Sequence, residues 1–184
     1  EFIARMDADD RSLPDRLKIQ FDFLSGHSEF GFVGSAAYLV HNNKIYGIRC
    51  FPPDPSSADI IRCNPFIHPS MLFRRECFTK SNGYKDTPYT GRCEDYDLFF
   101  RLYAKGIVGH NLQQPLLLYE EDPSDTSKHT FRSRINEFCV RMNGSYRLKQ
   151  ILGMLLAFKS LAAVFIPSKL YLKLKSNRKE NRFL

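Results

Sequence analysis

Tryptophan is absent from the 184 residues, and so are several patterns that decide a function class early. The five cysteines (Cys50, Cys63, Cys77, Cys93, Cys139) are odd in number and widely spaced, with no CxxC pair. That spacing argues against a zinc module and lends no support to a disulfide framework, so a reducing compartment fits best. No secretory leader pattern opens the chain. No internal repeat and no low-complexity stretch interrupts it, which leaves a globular protein with enough length for a real core. The longest apolar stretch, "ILGMLLAFKSLAAVFIPSK" (151–169), is broken by Lys159 and closed by Pro167. A membrane-spanning helix needs about 20 apolar residues, so a full span is not expected there.

Acidic residues are scarce at one end only. From Arg141 to Leu184 ten Lys/Arg stand against a single acid, Glu180, a balance of +9. Residues 1–140 carry seventeen bases and nineteen acids, a balance of −2. A nearly neutral body with a basic tail points to an anionic partner for the tail. The body has no basic patch interleaved with aromatics and no nucleic-acid motif, so no nucleic acid is expected. Lys169 and Lys173 in "KLYLKLKSNRKENR" share one helical face. This fits a basic amphipathic helix on an anionic membrane surface; a core-packing helix with a solvated basic end is the other reading.

Along the chain, residues 1–6 read as a short buried strand. Pro14 suits a first helical turn. Leu17, Phe21 and Leu24 follow at helical spacing, and Gly26 is a stop. Residues 30–40 and 44–50 read as two strands joined at His41-Asn42-Asn43, and 51–57 as a loop. A short helix spans 58–62. A strand is expected over 70–73, a polar loop over 81–92, a helix over 94–104 closed by Gly106, and a strand pair around 107–119. From about 128 onward the pattern is helical. Mixed elements without long repeats place the chain in the α/β class.

Chemistry concentrates in two acidic sites. "ARMDADD" (4–10) sets Asp7, Asp9 and Asp10 at a strand end. On an extended strand Asp7 and Asp9 project together and Asp10 away. Two such carboxylates repel by roughly 4 kcal/mol at an effective dielectric of 20, a cost that a divalent cation turns into attraction. Mg²⁺ and Mn²⁺ take oxygen ligands and leave positions for phosphates. The bland alternative is a solvated loop with Asp10 capping the next turn. Arg11 and Ser12 exclude an EF-hand loop. Arg11 also replaces the hydroxyl residue expected in a haloacid-dehalogenase-type phosphate-transferring hydrolase. In "GRCEDYDLFFRL" (91–102), Asp95 precedes Leu98, Phe99 and Leu102 on one inward helical face. An inward carboxylate has a raised pKa suited to a general base. Asp97 faces Arg101 at i,i+4 and reads as structural. Acids in a first helical turn are also simply favoured by the helix dipole.

These two sites, in this order and about 85 residues apart, resemble family 2 glycosyltransferases of the GT-A fold. "IARMDADD" is similar to that family's strand ending in DxD. "NPFIHPSMLFRRE" is similar to a segment of its acceptor region, and "NGYKDTPYTGRCEDYDLFFRL" to its stretch carrying the ED pair. The resemblance covers residues 1 to about 120. It implies an α/β fold: the C-terminal part of a GT-A (nucleotide-diphospho-sugar transferase, Rossmann-like) domain with a helical C-terminal tail. The acceptor-side part would be residues 1–125, and 126–184 the helical, basic tail. The N-terminal nucleotide-binding half is expected to precede Glu1, so that the chain is a piece of something longer.

The resemblance also implies roles. Asp7 would touch the sugar nucleotide, Arg5 its phosphates, and Asp9 would hold Mg²⁺ or Mn²⁺. Asp95 would take the acceptor proton in an inverting displacement, with Glu94 in support. His68, Ser70, Gly83 and Tyr84 would shape or bind substrate on the acceptor side, and His129 is a further candidate for the metal. The expected partners are a nucleotide-diphosphate sugar and a glycan or lipid-linked acceptor, with the protein cytoplasmic and peripheral on the inner face of the cell membrane. A QxxRW motif is absent, which favours transfer of a single sugar. A different class of reading is a catalytically inactive fragment serving as a membrane-associated interaction module.

Overall fold

The computed structural model describes residues 1–124 and 130–162. It is a mixed α/β structure built on one six-stranded sheet. The strands are β1 (Phe2–Ala4), β2 (Arg11–Ser12), β3 (Phe30–His41), β4 (Lys44–Arg49), β5 (Leu72–Arg74) and β6 (Val108–Glu120). Their order is β1-β5-β3-β6-β2, with β4 also paired to β3. Only β3 and β6 run parallel. The helices are α1 (Arg16–Gly26), α2 (Ser57–Arg62), α3 (Arg75–Ser81), α4 (Glu94–Tyr103), α5 (Phe131–Arg147) and α6 (Ile151–Ala162), and a 3₁₀ turn covers His68–Ser70.

The β3–β4 hairpin forms where expected because Asn42 and Asn43 both take left-handed φ, 51° and 59°. That geometry matches the twist of the flanking strands, and asparagine tolerates it. Ser56 and Asp59 form a reciprocal capping box that starts α2. Gly106, at φ 74°, ends the turn after α4.

Four expectations are corrected. The first strand stops at Ala4, short of the aspartates. The pair expected around 107–119 is the single long strand β6, whose register against β3 shifts near Ser35–Ala37 to pass Pro115. The strand expected over 70–73 begins at Leu72, because Pro69 sits inside the 3₁₀ turn. The inward face of α1 carries Arg16, Gln20 and Leu24, while Leu17 and Phe21 are exposed. Carbonyl oxygens of β3 and of the 3₁₀ turn that face this helix need donors. The Gln20 amide donates to Val33 O at 3.2 Å and to Ser70 O at 2.7 Å.

The main core lies between β3–β5 and α4, where Phe32, Phe66, Phe73, Phe99 and Phe100 meet. Every residue of α4 from Tyr96 to Tyr103 is buried. The segment after the boundary expected at 125/126 shares this core, since Val140 of α5 joins it. A Cβ at Gly144 would lie 2.2 Å from the Phe100 ring, so glycine sets how closely α5 approaches α4. His129 and the basic stretch 163–184 lie outside the described residues.

Candidate active site

Beyond Ala4 the chain leaves the sheet and turns. Arg5 N–H still donates to Met71 O at 2.9 Å, and Asp10 N–H closes a turn onto Asp7 O at 3.3 Å. Asp7 and Asp9 are therefore presented by a turn, and the alternation argued from an extended strand does not apply to them. Asp9 is exposed; Asp7 is half-buried and ion-paired with the Arg5 guanidinium. Asp10, expected to point away, is the buried member, and it accepts from Glu120 N–H at 2.9 Å. Burial pushes its carboxyl up to about 6; the Glu120 N–H opposes the rise and Asp9 and Asp7 add to it. Its Oδ2 is buried with no hydrogen-bond partner among the described residues.

The turn is held from below. Arg16 is almost wholly buried, and its guanidinium donates to Arg5 O at 2.6 Å and to Gln20 Oε1 at 3.1 Å. Burial lowers its pKa and Asp10 raises it. Arg11 and Ser12 pair with Leu118 and Leu117 of β6, so both ends of the acidic turn are tied to the sheet.

The second acidic site opens α4. Asp95 accepts from Tyr96 N–H on Oδ1 and from the Asn64 amide on Oδ2, both at 2.8 Å. Burial pushes its carboxyl up to about 6, offset by the Tyr96 N–H and the Asn64 amide and assisted by Glu94. Glu94 accepts from Arg92 N–H at 3.0 Å. Asp97 pairs with Arg101 at 2.7 Å, both buried, in the structural role its spacing suggests.

Between the two sites stands a tyrosine–histidine pair. His68 Nε2 and the Tyr84 hydroxyl are 2.7 Å apart. Burial pushes the His68 ring down to about 4; Arg5 lowers it further and Asp7 opposes. The ring is neutral near pH 7. Burial pushes the Tyr84 hydroxyl up to about 12, with Arg5 lowering it and Asp95 and Asp7 raising it. The charges of both acidic sites thus act on Tyr84, and Arg5 and Asp7 act on His68 as well. Gly83 delivers the tyrosine: after Asn82 (φ 61°) it also takes a left-handed φ of 62°, and its N–H donates to Phe78 O at 2.9 Å.

Ser70 is corrected. It is fully buried, its hydroxyl donates to Ile67 O at 2.8 Å, and it accepts from Ser35 N–H at 3.0 Å. It locks the 3₁₀ turn to β3. Asn64 and Arg16 are residues that sequence reasoning missed, and Asp10 is one it named but turned the wrong way. Their partners lie 31, 11 and 110 positions away, and no spacing signal marks such pairs.

Among the described residues no group of three or more His, Cys, Asp or Glu converges as a metal cage. The donor set at the acidic turn still suits Mg²⁺ or Mn²⁺, which commonly use one or two carboxylates and complete their shell with water and substrate phosphate. The exposed Asp9, the neighbouring Asp7 and the orphaned Asp10 oxygen are all hard donors.

No family model matches the chain. Among curated proteins it is 30% identical over 169 residues to EpsE of Bacillus subtilis, a protein assigned as a glycosyltransferase. It is 32% identical over 132 residues to the O-antigen biosynthesis glycosyltransferase WbnJ of Escherichia coli. To the amylovoran biosynthesis glycosyltransferase AmsE of Erwinia amylovora it is 29% identical over 119 residues. These alignments cover 91%, 68% and 62% of this chain but 61%, 50% and 43% of the relatives, so the chain spans less than two thirds of their length. The fold is shared with S. aureus TarS (residues 1–349, solved in complex with UDP-GlcNAc). The TM-score is 0.58 at 14% identity, covering 89% of this chain and 47% of that one.

Proposed function

We propose that this chain is the acceptor-side part of a family 2, GT-A-type glycosyltransferase that moves one sugar, with inversion, from a nucleotide-diphosphate sugar to a glycan or lipid-linked acceptor in polysaccharide synthesis. The observation that carries the reading is the convergence on Tyr84. The Asp7 carboxylate of the acidic turn and the half-buried Asp95 carboxylate of α4 both raise the pKa of that one hydroxyl, in a chain similar to glycosyltransferases over most of its length. The relatives named for O-antigen and amylovoran biosynthesis support the polysaccharide setting. The UDP-GlcNAc held by TarS supports a nucleotide-sugar donor.

In this mechanism Asp7 and Arg5 bind the sugar nucleotide, and Asp9 would hold Mg²⁺ or Mn²⁺. Such an ion, when bound, supplies positive charge for the leaving nucleoside diphosphate. Asp95 takes the proton of the acceptor hydroxyl as its oxygen bonds to the anomeric carbon and the bond from that carbon to phosphate oxygen breaks. The proton ends on Asp95 and the electron pair on the departing diphosphate. Glu94 keeps Asp95 basic by adding negative charge beside it. Neutral His68 accepts from or donates to Tyr84 and orients it toward the acceptor. Burial of Asp95 matches its basicity to neutral pH, where general-base catalysis is most effective.

Calorimetric titration of UDP and GDP with Mn²⁺, on this chain and on the full-length protein, tests the donor side. Metal-dependent binding is expected, with at least roughly tenfold weakening in Asp9→Ala. Binding that is indifferent to both the metal and Asp9 would remove the diphosphate clamp from the proposal.

The setting we propose is an anionic membrane face. Among the described residues no helix is long and apolar enough to cross a bilayer. The α6 helix nevertheless exposes Ile151, Leu152, Leu155 and Phe158, holds no acid and precedes the Lys/Arg-rich stretch 169–182. Apolar insertion plus basic attraction to anionic lipid is the logic of interfacial helices. Sedimentation with phosphatidylglycerol vesicles is expected, weakening about tenfold or more in Leu155→Glu and in 0.5 M salt. Equal sedimentation with neutral phosphatidylcholine, or none with either, would remove the membrane from the reading.

A further inference from the structure

We infer that Asn64 is a positioning residue for the general base, aiming Asp95 at the acceptor hydroxyl by holding one of its two carboxylate oxygens. The inference rests on the assignment of Asp95 made above. Its basis is that the Asp95 carboxylate is gripped on both sides. Oδ1 is held by the backbone N–H of Tyr96, so rotation of the group is limited by the helix itself. Oδ2 is held by the side-chain amide of Asn64, which comes from the loop between α2 and the 3₁₀ turn. The Asn64 amide has one possible orientation. Its Oδ1 accepts from Phe66 N–H at 3.3 Å, which leaves the NH₂ side facing Asp95.

The loop that presents Asn64 is braced at several points. Buried Asn111 of β6 donates to Pro65 O at 3.0 Å and to Pro52 O at 2.9 Å. Arg141 of α5 donates to Ile61 O and Arg62 O, both at 2.9 Å. The Tyr96 hydroxyl, one residue after the base, donates to Ile60 O. Phe66 seats its ring against Phe99 of α4, at 4.6 Å between centroids. The loop and the start of α4 are thus one packed unit, and Asn64 is its polar contact with the base. A base rigidly aimed by its neighbours is what efficient proton transfer requires. The other groups facing Asp95 are Glu94 beside it, Cys93 at the helix cap and the Tyr84 hydroxyl from the 82–93 loop. Among the described residues, Asn64 is the donor that reaches its side chain from outside α4.

The test compares Asn64→Asp with Asn64→Ala in the full-length enzyme. The aspartate variant keeps the shape and the oxygen that accepts from Phe66, and replaces only the donor that faces Asp95. If Asn64 positions the base, Asn64→Asp lowers kcat about 100-fold at pH 7, more than Asn64→Ala at about tenfold. The acid limb of the pH–rate profile moves up by roughly one unit or more in the aspartate variant, as two carboxylates share a proton. KM for the donor sugar stays unchanged. A second readout needs no activity: the ¹³C carboxyl resonance of Asp95, titrated in this chain, should shift its midpoint upward in both variants. If Asn64 is only a packing residue, Asn64→Asp is the milder variant and neither the limb nor the resonance moves, which overturns the inference. Failure of the base assignment looks different: Asp95→Asn would then retain transfer whatever Asn64 does.

Discussion

Replacing Asp95 with asparagine abolishes sugar transfer, lowering kcat about 10³-fold or more while nucleotide binding is retained. General-base catalysis is worth about 10²–10⁴-fold, and the asparagine also loses the charge that the acceptor proton would neutralise. The substitution is nearly isosteric. It keeps an oxygen for Tyr96 N–H, so the α4 terminus stays folded. The unmodified enzyme provides a companion measurement. Because burial raises the Asp95 carboxyl to about 6, the group is protonated below that pH and cannot accept a proton. Activity therefore rises with pH through about 6 and levels off above it. His68, pushed down to about 4, stays neutral across this range and adds no limb of its own. Steady-state kinetics from pH 4.5 to 8.5 on both proteins settle the matter. Transfer by Asp95→Asn within tenfold of the parent, or a rate flat across pH 6, would remove the base from the mechanism.

The second large effect is on stability. Phe99→Ala is expected to cost about 3–5 kcal/mol, as large-to-small changes at fully buried aromatic sites do. Phe99 is wholly inaccessible, and its ring meets Phe32, Phe66, Phe73 and His68. It is the point at which α4, the sheet and the Asn64 loop all touch. Collapse around the lost ring is limited because its partners come from β3, β5, the loop that carries Phe66 and the 3₁₀ turn, all of which would have to shift. Native domains are stable by only about 5–15 kcal/mol, so this one change consumes a large share of the total. Urea unfolding followed by circular dichroism on this chain measures it as a lower midpoint. Phe99→Leu, which refills most of the volume, should lose much less. A loss under about 1 kcal/mol in Phe99→Ala would show that α4 is held mainly by α5 and that the aromatic cluster is peripheral to stability.

Local signals were legible wherever the causes were local. The Asn42–Asn43 hairpin, the helix ending before Gly106 and the Asp97–Arg101 pair each depend on residues a few positions apart, and each was read from spacing. Helical periodicity puts Asp95 on one face with Leu98, Phe99 and Leu102, yet α4 is buried all round from Tyr96 to Tyr103 and Asp95 itself is only half-buried. Reading failed where partners are distant. The strand parity applied to Asp7 and Asp9 presumed a strand that ends at Ala4. Arg16 and Gln20 took the inward face of α1 from Leu17 and Phe21 because carbonyls of Arg5, Val33 and Ser70 needed donors. Ser70 looked available and is consumed by Ser35 and Ile67.

The sequence by itself determined the α/β class, the two acidic sites and the basic asymmetry of the chain. These are properties of composition and short-range periodicity. Only the tertiary structure decided which carboxylates are buried, that Asp10 rather than Asp9 is the desolvated member of its cluster, and that Asn64 meets Asp95. Desolvation and hydrogen bonding depend on what packs against a group, and those neighbours arrive from 31 residues away at Asp95 and 110 at Asp10. Sheet order and helix docking bring them there, and no short-range pattern encodes them.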